Sequence, residues 1–397
     1  MAWLTGWAKR IEITVSNTNI ASDLTHFPLL VKLGTSVGTG ADDVSAIFDE
    51  LTSDANRFKI AVTDDTGDTE IKVEIAEWDD ASETAVLWVS SSGLTLSASA
   101  TTTLYIYYDA GHADNTANVG DIGSTPGEAV WDSNFVYVHH GVTASPVDST
   151  GGDNDGTSTG STTIAGPSGM GTAMDFDGSA SEVATPWPSS PPTAGHTIEL
   201  WIDPDTVPLD CPISAWGSGA GMNFGIWIDN DWYTGGGSWV NLDSGMTAAG
   251  WQQLAMAHPS GTGAMEVWRN GVSLGTTGSY ATTWATPTSG DITYGIDQRT
   301  DVEDWAGGIC EVRLSDIQRT DAYMLANYHS TNDNLVSYGS EETDSGDKTA
   351  DGAPDIILVT AAGVAVQSSP PIITVVDGDD AWTDGDSALV ATGTGFA

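Results

Sequence analysis

The sequence predicts an all-β protein of two tandem β-sandwich domains followed by a short C-terminal β segment. Three observations carry that prediction. Apolar residues recur with period two in short runs bounded by turn residues. The acid excess is mostly Asp, 41 against 14 Glu, and together with 46 Gly it favours turns and strands over helices. Hydrophobic residues make up 40% of the chain and 16 of its 33 aromatics are Trp, more apolar material than a disordered polyanion holds. At about 150 residues per domain, 397 residues correspond to two domains with extra segments.

Between residues 1 and 120, six runs alternate: RIEITV (10–15), FPLLVKL (27–33), RFKIAVT (57–63), TEIKVEIAEWD (69–79), TAVLWVS (84–90) and TTLYIYYD (102–109). The intervening clusters, such as Asp64-Asp65-Thr66-Gly67, are hairpin chemistry. One helical candidate, 42–51, fits an edge turn. A first domain over 1–125 follows.

The ordered blocks LTHFPLLVKL, SDANRFKIAVTDDTG, VEIAEWD and LYIYYDAGHADN resemble a family of domains of unknown function that usually precede a laminin-G-like jelly roll in phage structural proteins and secreted prokaryotic proteins. The resemblance implies architecture alone. The second domain, 126–340, carries the matching jelly-roll pattern: an opening loop at 148–156, AMDFDGSASEVATP (173–186), TIELWIDPD (197–205), WQQLAMAH (251–258), MEVWRNGVSLGT (265–276) and WAGGICEVRLSD (305–316). These blocks are similar to concanavalin A-like/laminin-G-like domains. A short helix is expected at 319–330, and LVSYGSEE is expected to end the unit. Residues 341–352 read as a linker and 353–397 as a partial immunoglobulin-like β segment. Half a sandwich leaves bare strand edges, so these strands are expected to add to another subunit's sheet or to precede further chain.

With 11 Lys plus Arg against 55 Asp plus Glu, the net charge is -44 and no basic run exists to neutralise phosphates or anionic headgroups. Nucleic acid and membrane surfaces are excluded as partners. The start, MAWLTGWAKRIEIT, places its basic residues after a very short apolar stretch, unlike a secretory signal, and no transmembrane run is present. Surface-type β architecture without an export signal fits a virion component, folded in the host cytoplasm and exposed after release. Cys211 and Cys310, 99 residues apart with no CxxC pairing, read as two separate buried thiols.

Three sites are candidates. WIDNDWYTGGGSW (227–239) gathers Trp227, Asp229, Asn230, Asp231, Trp232, Tyr233 and Trp239. Aromatic planes stack on the C–H faces of sugars while carboxylates and amides meet the hydroxyls, so the composition suits a glycan site. A hairpin whose Trp residues alternate into the core is the favoured competing reading, since half-buried Trp is common in sandwiches. The resemblance also implies a structural calcium, which would map to Asp148, Asp153 and Asp155; Cys310 stands where such domains more often have Asp, and a solvated loop without metal is the competing reading. Glu199 and Asp203 alternate around Trp201, as the carboxylates of a glycoside hydrolase would, but Trp holds the middle position, so Glu199 reads as an outward-facing residue on an amphipathic strand. His139 and His140 point to opposite sides of a strand and cannot chelate one ion together; one buried and one exposed histidine is expected.

The function expected is a non-enzymatic virion structural protein, a tail-fibre, capsid-turret or decoration component. Its partners would be other virion proteins, or copies of itself through the C-terminal strands, together with cell-surface glycans. The alternatives are a secreted or cell-surface lectin-like protein of a prokaryote and a polysaccharide hydrolase.

Overall fold

The computed structural model describes residues 2–188, 195–205, 210–216, 222–228, 231–235, 239–244, 250–259, 262–281, 291–297 and 303–344. The expected partial immunoglobulin-like segment at 353–397 lies outside these residues. Met1–Thr343 forms one compact unit, and the fold is all-β, with strands formed where the alternating runs mark them.

The first sandwich is built from one sheet that folds over itself. Its order is Val336–Thr343, Lys9–Val15, Thr102–Tyr108, Ile60–Thr63, Glu70–Asp79, Thr84–Ser90 and Leu29–Leu33. The ten-residue strand Glu70–Asp79 makes the corner: Glu70 and Ile71 pair with Thr63 and Val62, whereas Lys72 onward pairs with Thr84–Ser90. Val119–Asp121 joins its side in parallel. Alternation puts Ile11, Ile13 and Val15 into the core, together with Val73, Ile75, Leu87 and Val89.

One member of this sheet comes from the far end of the unit. Residues 335–340, expected to close the jelly roll, instead enter the strand Val336–Thr343, antiparallel to Lys9–Val15, with Thr343 opposite Lys9 and Val336 opposite Val15. Glu341 and Glu342, expected in a linker, are part of that strand and take salt bridges from Lys9 and Arg10. Tyr338 fastens the strand further, donating through its hydroxyl to the Lys32 carbonyl at 2.5 Å. The second sandwich is therefore inserted between two strands of the first.

That second sandwich has two sheets. One runs Thr162–Ala165, Thr172–Asp177, Ala306–Ser315, His196–Pro204, Gln252–His258, Thr262–Arg269 and Val272–Ala281, with Phe135–His139 also paired to Ala306–Ser315. The other runs Thr157–Thr159, Glu182–Pro186, Asp291–Tyr294, Asp210–Trp216, Met222–Ile228, Asp231–Gly235 and Trp239–Ser244. Ile198, Leu200, Ile202, Met256 and Leu314 from the first sheet meet Ile213, Ile226, Ile228 and Tyr294 from the second in one core.

The outward side of the first of these sheets is covered too. Trp201, Ala255, Ala257, Trp268 and Cys310 pack into the core of the N-terminal sandwich. The helix Asp321–Thr331 completes the cover. Thr320 caps it by accepting from the Tyr323 N–H, and Ser330 accepts the otherwise unpaired edge N–H of Leu30 at 2.9 Å. Among the described residues no helix is long and apolar enough to cross a membrane.

Candidate functional site

The seam between the sandwiches holds a chain of buried charges. Within Ala306–Ser315 the register slips against His196–Pro204: Arg313 faces Glu199 and Cys310 faces Trp201, so the two residues Glu311 and Val312 oppose Leu200 alone. Glu311 takes a left-handed φ of 50° at this bulge, a conformation that costs roughly 1–3 kcal/mol and persists only where its surroundings impose it. The bulge turns Glu311 toward the first sandwich. There its Oε1 lies 2.7 Å from His140 Nδ1, and its Oε2 accepts from Arg313 Nη2 at 2.6 Å. The other ring nitrogen of His140 lies 3.2 Å from Oε2 of Glu74, which also accepts from Trp131 Nε1 at 2.8 Å. Arg313 continues to Asn327 Oδ1 at 2.9 Å, and Asn327 donates to Glu199 Oε2 at 2.5 Å.

Two carboxylates on opposite nitrogens require an imidazolium, because only that form donates from both. Burial alone would push His140 down, but Glu311 and Glu74 outweigh it and hold the ring up to about 9. Burial would raise Glu311, yet His140 and Arg313 keep it below the usual carboxylate range. Glu199 goes the other way: burial raises it, and Arg313, Arg319 and Asn327 offset this only in part. The Trp88 ring lies beneath both cations, stacked 5.5 Å from His140 and 4.5 Å from the Arg313 guanidinium. A second lock sits beside it, with Arg319 donating to both oxygens of Asp132 at 2.7 and 3.1 Å between the rings of Phe135 and Tyr323.

These side chains join two domains, and Glu74, His140, Glu311, Arg313 and Asn327 are buried. Glu199 faces away from the jelly-roll core as expected, but it is only 2% exposed, with Asn327 of the helix Asp321–Thr331 bonded to it. Asp203, on the same strand, is half-buried. The two histidines do point to opposite sides, yet both are buried, which corrects the expectation of an exposed one: His139 faces the jelly-roll interior, between Tyr294 Oη at 2.8 Å and the Asn154 carbonyl at 3.0 Å. Burial pushes it down to about 3. Sequence reasoning missed Glu74, Glu311, Arg313 and Asn327. Their signal is ionisable residues of both signs inside apolar runs, VEIAEW and ICEVRL, where alternation reads them as solvent-facing.

The calcium candidates do not converge. Asp148 is buried and serves as the acceptor that shapes its own loop. Its Oδ1 takes the N–H groups of Val138 and Thr150 and the Thr150 hydroxyl, and its Oδ2 takes the backbone and side-chain N–H of Asn154. Asp155 accepts the Asp148 N–H at 2.8 Å, and Asp153 is exposed at a φ of 52°. Among the described residues no three His, Cys, Asp or Glu side chains form a group able to hold a metal ion. Cys211 and Cys310 are free and buried, with burial pushing both thiols up.

The glycan candidates lie on three neighbouring strands at one edge of the second jelly-roll sheet: Met222–Ile228, Asp231–Gly235 and Trp239–Ser244. Asp229 and Asn230 fall outside the described residues, and for the rest the backbone register is what is described. Trp227 opposes Tyr233, which opposes Asn241; Gly225 opposes Gly235, which opposes Trp239. Ile226 and Ile228, on either side of Trp227, are buried in the core. Alternation therefore assigns positions 227, 233 and 239 to the face of the sheet away from that core. Position 232 opposes Ile228 and belongs to the core face. Position 231 opposes Ser244 at the strand's start.

Residues 177–323 match a family, Laminin_G_3, described as the concanavalin A-like lectin/glucanases superfamily. No curated protein matches the chain. Among solved structures, domain 4 of AbnA, a GH43 extracellular arabinanase from Geobacillus stearothermophilus in complex with arabinotriose, is 18% identical, with a TM-score of 0.40 over 49% of this chain and 98% of that one. The binding domain of botulinum neurotoxin serotype D/C VPI 5993 is 12% identical, with a TM-score of 0.41 over 50% of this chain and 52% of that one. The binding domain of Paraclostridial Mosquitocidal Protein 1 is 10% identical, with a TM-score of 0.39 over 50% and 52%. This chain thus spans about half the length of either toxin fragment. Residues 177–323 form a concanavalin A-like jelly roll.

Proposed function

We propose that this is a glycan-binding structural protein without catalytic activity, displayed on a virion as a tail-fibre, capsid-turret or decoration component. One observation carries the binding role: the register that assigns positions 227, 233 and 239 to the face away from the core. Gly225 opposes Gly235 in the same register. The burial of Glu199 beside Asn327 supports binding over hydrolysis at that strand. The resemblance of the first 120 residues to phage-associated domains supports the virion setting, where many copies turn weak single contacts into firm attachment.

A glycan array probed with the full chain and with Trp227→Ala and Tyr233→Ala tests the binding role: binding lost in both variants, with unchanged melting, is the expected result, and unaltered binding overturns it. Mass spectrometry of purified particles tests the setting. Neighbouring genes for polysaccharide enzymes and transporters, in place of capsid and tail genes, would move the protein to a cell surface.

A further inference from the structure

We propose a second saccharide site, on the N-terminal sandwich, for a single neutral sugar ring. It does not depend on the jelly-roll site. Where Glu70–Asp79 ends, the 3-10 turn Asp54–Asn56 and the residues around Asp121 leave a concavity of about 210 Å³, lined by Ile75, Glu77, Trp78, Asp54, Arg57 and Asp121. It is smaller than the ~300 Å³ at which sites for drug-sized ligands begin, which limits the occupant to about one ring. Trp78 and Ile75 supply an apolar wall, and Phe48 holds the indole from behind at 5.0 Å between ring centres.

The polar rim is held in place before any ligand arrives. Arg57 donates to both oxygens of Asp121, at 2.9 and 2.6 Å, and through Nη1 to the Asp54 carbonyl at 3.0 Å. Asp54 in turn accepts the Asp80 N–H at 2.7 Å. Glu77 accepts the Thr172 N–H of the second sandwich at 2.7 Å, which ties the far wall to the seam. A rim fixed in this way loses little freedom when it binds. Its chemistry also selects. Three carboxylates against one guanidinium leave a net negative charge, which repels sialic acids, uronic acids and phosphates and admits hydroxyl donors.

The test is an amide and indole NMR titration of the full chain with methyl glucoside, methyl galactoside and arabinose, with sialic acid as the anionic control. The expected result is a saturable shift of the Trp78 indole signal with at least one neutral sugar and none with sialic acid. Arg57→Ala should weaken this binding at least fivefold while leaving melting within a few degrees, and Tyr233→Ala should leave it intact. Trp78→Ala removes the apolar wall and should also weaken binding. The proposal is overturned if no neutral sugar moves the Trp78 signal, if sialic acid moves it equally, if binding vanishes with chelator, or if Arg57→Ala binds as the parent does. Tyr233→Ala separates the two sites: loss of array binding with the Trp78 shift retained would mean that both exist, and an unchanged array would overturn only the jelly-roll site.

Discussion

The two sheets of the jelly roll share one core and differ in what lies behind them. Behind the sheet containing Ala306–Ser315 lies the first sandwich, so its outward residues Glu199, Trp201, Glu311 and Arg313 are as buried as its inward ones. Behind the aromatic edge of the other sheet, alternation places positions 227, 233 and 239 on the side away from the core. Patterns of the same kind therefore serve opposite ends. One sheet has spent its outer face on joining domains, and the outer face of the other is where we propose that a glycan binds.

The joining side can be broken most drastically by truncation. Ending the chain after Asn334 removes the strand opposite Lys9–Val15 and exposes Ile11 and Ile13; the expected outcome is loss of cooperative unfolding by circular dichroism, and a cleanly melting truncation would contradict the inserted topology. Next in size, His140→Leu leaves Glu74 and Glu311 facing each other without their shared donor. A buried charge left unpaired costs about 3–5 kcal/mol, readable by urea denaturation. Trp227→Ala should leave stability within about 0.5 kcal/mol and remove binding, read by melting and by glycan array.

Acidity and alkalinity sharpen the comparison further. His140 is held up to about 9 when folded, above its unfolded value, so its contribution is complete below roughly pH 6.5 and is lost as pH rises through 9. His139 is held down to about 3, so the unfolded chain binds the extra proton and stability falls as pH drops from about 6.5 toward 3. Chemical denaturation across pH should give a dome, with an alkaline arm of about 3 kcal/mol that disappears in His140→Leu. An unchanged alkaline arm in that variant would show that the ring is not an imidazolium between carboxylates.

Much of the architecture was legible in the sequence because period-two alternation and turn chemistry are local. The runs at 10–15, 57–63, 84–90 and 102–109 became strands, 46–51 became the short helix, and 321–331 the longer one. What alternation cannot report is what lies beyond the second face of a sheet. Glu199 had the pattern of an outward residue and was one, but outward meant into another domain. The strand at 336–343 was misplaced for a related reason: YGSEE is polar enough to read as an exit, and only a partner more than 300 residues away makes it a sheet edge. Asp148 had the composition of a metal loop, but composition does not say whether a carboxylate meets a cation or a set of N–H groups. The aromatic cluster was visible as a cluster; dividing it into a core position, 232, and three positions facing away required the register.

The pairing of Thr343 with Lys9 gives the unit a mechanical character. The chain enters and leaves this unit at the same end of two neighbouring strands, so tension between its flanks loads their hydrogen bonds one after another. Pulling on the two flanks would load this zipper ahead of the strands of the inserted jelly roll.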